Sequence, residues 1–119
     1  MFALTVALAV VTGIGFGLSG GAKLTGGAPL EAIRERIGMA PPLWKTVGAL
    51  ELLGGIGLAI GLHGDLPIIG VLAAAGLVAL TIGATFYHQR AGDSIRQWLP
   101  AVMMGSLAIF SAIARVGSA

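Results

Sequence analysis

Four apolar runs, at about 1–18, 43–62, 66–88 and 99–116, take up most of the chain and decide the medium it folds in. Each is close to the ~20 residues that a helix needs to cross the hydrocarbon core of a bilayer. Alternating segments of roughly ten residues, which would suit a membrane β-barrel, are missing. Only 10% of residues are charged and 56% are hydrophobic, whereas about a quarter of a water-soluble domain is charged. So little charge leaves too little polar surface to cover a soluble globule. The pattern predicts an all-α fold, a four-transmembrane-helix bundle forming one integral membrane domain over 1–119. The first run could be a signal peptide, but it lacks a basic start and a second span follows.

The connections carry the charge. Lys23, Arg34, Arg36, Lys45, Arg90 and Arg96 fall on or beside the loops 19–42 and 88–98, and only Arg115 falls at the other side. The positive-inside rule then puts these loops in the cytoplasm of a cell-membrane protein, with both termini outward. Trp44, Tyr87 and Trp98 sit at the same boundary, as an aromatic belt does. Basic residues spread along helix ends explain the pI near 9.7 without nucleic acid. No cysteine is present, which removes disulfide and thiolate chemistry from this chain. Within the first loop, Pro29 can open a short helix over 29–37. Leu30, Ile33 and Ile37 then share one face, Gly38 can end the turn, and Pro41-Pro42 stop it. Such a segment suits an interfacial anchor, with a lid over a cytoplasmic-side pocket as the sharper alternative. His63, in the outer hairpin, reads as a solvated loop residue.

Small residues four apart, Gly13-Gly17-Gly21 and Gly57-Gly61, predict close helix packing within the bundle, and leave homo-oligomerisation open. Glu51 is the exception to an otherwise apolar second span. It lies eight residues past Leu43, roughly 12 Å from the inner boundary at 1.5 Å per residue. A carboxylate there costs about 2.5–3.5 kcal/mol on insertion scales and needs a partner, water or a proton. Gly48 and Gly55 flank it and leave room for another helix or a ligand. Thr81, Thr85 and His88, at i, i+4 and i+7, share a face of the third span at overlapping depth. Lys23 follows the first span and could reach inward or snorkel outward. The expected contact is between Glu51 and Thr85 or His88. Each has an ordinary alternative: threonines bond their own i−4 carbonyls, His88 suits an interface, and Lys23 suits topology.

One carboxylate and one plausible histidine make a poor metal site, so none is expected. The glycines of GIGFGLSGG follow no strand, which rejects dinucleotide binding.

GLSGGAKLTG, GALELLGGIGLAIGL and GATFYHQRAGD together resemble the DoxX-like family of small four-helix integral membrane proteins. The likeness spans nearly the whole chain and selects Lys23, Glu51 and His88 as the family's lysine, glutamate and histidine. It implies a membrane subunit of a quinone-linked or other redox system, binding a lipophilic small molecule near Glu51 and His88. Expected partners are membrane lipid and a soluble or membrane redox protein. The expected ligand is a quinone or lipid-like molecule, with no intrinsic cofactor. A self-sufficient isomerase or hydrolase using Glu51 and His88 as acid and base remains the alternative, alongside a non-catalytic assembly protein. In either active reading Glu51 and His88 are the catalytic candidates, and Lys23, Thr81, Thr85, Gly48 and Gly55 the ligand-binding ones.

Overall fold

The computed structural model describes residues 2–118, so Met1 and Ala119 lie outside the described residues. The order is α1 (Phe2–Thr25), α2 (Ala28–Ile37), α3 (Pro41–Ile60), α4 (Pro67–Arg90) and α5 (Ile95–Gly117). All but α2 are long and apolar enough to cross a membrane. They alternate in direction, and packing runs round the bundle from α1 to α3, α4, α5 and back to α1.

Local chemistry sets the boundaries. Proline opens α3 and α4, where a missing N–H leaves nothing unsatisfied. Ser94 and Gln97 form a capping box, so α5 starts four residues before the apolar run that begins at Leu99. Pro100 therefore falls inside the helix. Helix α1 continues past Leu18 to Thr25, because Gly20 is pressed against α3 and keeps the extra turns packed.

Backbone contact joins α1 to α3. A Cβ on Gly55 would lie 2.8 Å from the Gly13 carbonyl oxygen, and one on Gly48 would lie 2.9 Å from that of Gly20. The contact register is thus Gly13 and Gly20 against Gly48 and Gly55. Gly17 and Gly21, in the predicted stripe, face open space. Gly57 and Gly61 pack on Ala73 and Gly70 of α4. Phe16, Leu58, Leu77, Ala74 and Ala108 form the central core.

Helix α2 crosses one end of the bundle, here the strap end, between two flexible junctions. Gly26 and Gly27 (φ 81 and 120) precede it and Gly38 (φ 75) follows, conformations that cost glycine little. At the opposite, hairpin end, Arg115 is 8% exposed. Its Nε donates to the Gly61 carbonyl at 2.6 Å and its Nη2 to that of Gly64 at 3.0 Å. A cation thus caps carbonyls that the end of α3 leaves open.

Candidate functional site

Between the helices at the strap end lies a cavity of about 760 Å³, within the usual range for small-molecule sites. Its walls are apolar, with Phe16, Leu80 and Met104 among them. Leu30, Ile33 and Ile37 of α2 also line it, so the apolar face of the strap covers the cavity.

Lys23 and Glu51 supply the polar part of the wall. Glu51 is 6% exposed, and its Oε1 lies 2.7 Å from Lys23 Nζ. Alignment is poor, so Oε1 stays buried without a directed hydrogen bond. The contact is an ion pair with acceptor capacity left over. The ammonium is held from other sides too: it donates to Ser19 Oγ at 2.8 Å and sits 5.1 Å from the centre of the Trp44 ring. Lys23 therefore turns into the bundle, and the partner of Glu51 is Lys23 rather than Thr85 or His88.

The remaining residues separate. Gly48 and Gly55 face α1, which fills the room beside Glu51, and neither lines the cavity. Thr81 lines it but gives its hydroxyl to the Val78 carbonyl at 2.8 Å. Thr85 bonds the Thr81 carbonyl at 2.8 Å and faces a shallower groove between α4 and α5. His88 lines the cavity, while its Nδ1 meets Asp93 Oδ2 at 2.6 Å.

Asp93 and Trp44 are missing from the sequence-derived set. Gly92 turns the chain at the end of α4 and returns Asp93 to His88. Arg36 of the strap closes on the same carboxylate through two bonds of 3.0 and 3.1 Å. Trp44 is 5% exposed, packed against Ile37 and Met39, and its Nε1 is buried without an acceptor. Leaving such a donor unmet costs about 1–3 kcal/mol.

Asp93 latches the strap. Arg36 first, and His88 second, hold its carboxyl below the usual carboxylate range. The folded value lies under the unfolded one, so the stabilisation is complete above the ordinary value of about 4. It is lost as pH falls through the lower folded value. A spin label on Glu35→Cys should stay immobile from pH 7 to about 4 and loosen below that. Asp93→Asn should loosen it at neutral pH. Release already between about pH 7 and 5 would rule Asp93 out as the latch.

A model of the DoxX-like family matches residues 4–111, most of the chain. The chain belongs to the DoxX-like family. Neither a curated protein nor a solved structure matches it significantly. Family membership and four apolar helices together make it a multi-pass membrane protein. The three residues that the family resemblance selects, Lys23, Glu51 and His88, all border the one cavity under α2. In this DoxX-like chain the first two are in direct contact, and the third is oriented by Asp93.

Proposed function

We propose that this protein binds a lipophilic small molecule of quinone-like character in the cavity under α2, as a membrane subunit of a redox system. The observation that carries the reading is a large apolar cavity ending on the Lys23–Glu51 pair, whose buried oxygen has no directed hydrogen bond. Apolar walls suit a ligand drawn from the bilayer. A carboxylate beside an ammonium suits a head that gains and loses protons. His88, oriented through Nδ1 by Asp93, leaves its other ring nitrogen for proton exchange. The electrons would come from a soluble or membrane redox partner. Strap-end basic residues, six against Arg115 at the hairpin end, favour a cytoplasmic strap.

The Asp93–His88 contact also favours a second reading, an isomerase or hydrolase on a lipophilic substrate, since a carboxylate-oriented imidazole is a general acid–base device. Turnover by the isolated chain would select it, and co-purification with a redox protein would select the first.

Binding of a short-chain quinone to the protein in lipid nanodiscs tests the ligand reading. Wild type should bind saturably. Glu51→Gln should unfold at the same midpoint, because Lys23 keeps Ser19 and the Trp44 ring, yet bind at least about tenfold more weakly, one charge-assisted hydrogen bond being worth that much. Equal affinity in both proteins, or no saturable binding to wild type, would end the proposal.

A further inference from the structure

The buried polar atoms without a hydrogen-bond partner among the described residues are Thr12 Oγ1, Trp44 Nε1 and Glu51 Oε1. Two of these three residues line the same cavity. Trp44 lies in the first turns of α3, at the strap end, where a membrane tryptophan ordinarily wets its N–H at the interface. Trp98, at the same end, stays partly exposed. Trp44 does not, because the end of α2 folds over it: Ile37 and Met39 cover the ring and the Lys23 ammonium stands over it. The ring is thus fixed, dry and short of an acceptor. Ser19 Oγ, the nearest polar group in the Lys23 cluster, already accepts from Lys23.

We infer that Trp44 donates its indole N–H to an oxygen of the molecule in the cavity, and so selects uncharged carbonyl-bearing lipophiles over hydrocarbons and over lipid acids. The inference rests on the ligand reading above and adds the residue that discriminates between ligands. An oxygen acceptor fills the vacancy at Nε1, and a hydrocarbon of the same shape leaves it unmet. Charge supplies the second half of the selection. Glu51 already neutralises Lys23 at 2.7 Å, so a ligand carboxylate would bring a second anion to a cation that is already paired. A neutral carbonyl adds no such charge.

The test compares menadione, methylnaphthalene and myristate as probes, with binding measured by equilibrium dialysis against protein in nanodiscs. Wild type should prefer menadione to methylnaphthalene by about tenfold or more, the size of one buried hydrogen bond, and should bind myristate weakest. Trp44→Phe keeps a ring beside Lys23 and removes the N–H. It should reduce that preference to near unity by losing menadione affinity while leaving methylnaphthalene unchanged. A measurement without any change at Trp44 guards against misfolding. Trp98→Phe leaves one indole N–H, whose nitrogen-15 resonance should shift downfield with menadione and hold still with methylnaphthalene. Saturable menadione binding that Trp44→Phe leaves intact, or with no indole shift, overturns the inference and spares the ligand reading. No saturable binding of any probe to wild type overturns both.

Discussion

Lys23→Met should lower the stability of this protein by about 3 kcal/mol, and adding Glu51→Leu should restore most of that loss. Breaking a buried ion pair from one side costs about 3–5 kcal/mol, because an uncompensated charge stays behind. Here the stranded charge is Glu51, whose side chain is 8% exposed and whose ion-pair partner is Lys23. The low end of the range applies, since the Lys23 side chain is 17% exposed and cavity water can solvate part of the site. Replacing both members with apolar side chains removes the stranded charge, and such replacements are often neutral or better. Unfolding in mixed dodecyl sulfate micelles, read by circular dichroism, measures the cycle. A double variant as unstable as Lys23→Met alone would mean that the pair does not govern the effect. A stable double variant that no longer binds the quinone would show that the pair is kept for the site.

Gly55→Val should destabilise by about 2–3 kcal/mol, the upper part of the overpacking range. Its Cβ would come 2.8 Å from the Gly13 carbonyl oxygen, and a backbone atom cannot rotate aside. The substitution must push α1 off α3 over its whole contact, with Gly20 and Gly48 carried along. Gly17→Ala is the control. Nothing lies within 4 Å of a Cβ placed there, so its effect should stay within about 0.5 kcal/mol. Equal thermal aggregation onsets for the two variants in detergent would show that the α1–α3 contact is looser than described.

The spans and the strap were legible because a bilayer imposes one-dimensional demands, namely length, hydropathy and proline punctuation. Glu51 stood out for the same reason. Its partner did not. Depth along a helix follows from residue counting, but the face it presents depends on rotation, and rotation here is set by Gly13 and Gly20 meeting Gly48 and Gly55. That register turns Lys23 onto Glu51 and leaves Thr85 facing the α4–α5 groove. Asp93 escaped notice because it follows the helix carrying His88, and only the turn at Gly92 returns it. Trp44 reads as a belt residue until the strap is seen lying over it. Arg115 enters the sequence reading as a topology charge alone, although it is a helix cap.

Arg115 also imposes an order on biosynthesis. The carbonyls it binds belong to Gly61 and Gly64, 54 and 51 positions earlier in the chain. At roughly 5–20 residues per second, a ribosome needs on the order of 3–10 s to travel that distance. Throughout that interval α1, α3 and the start of α4 already exist, while the turn joining α3 to α4 still lacks its donor. Thr5, near the start of α1, likewise bonds the Ala114 carbonyl in the last turns of α5. Both ties form only when the fourth span arrives, so the nascent bundle must be sheltered in the insertion machinery until then.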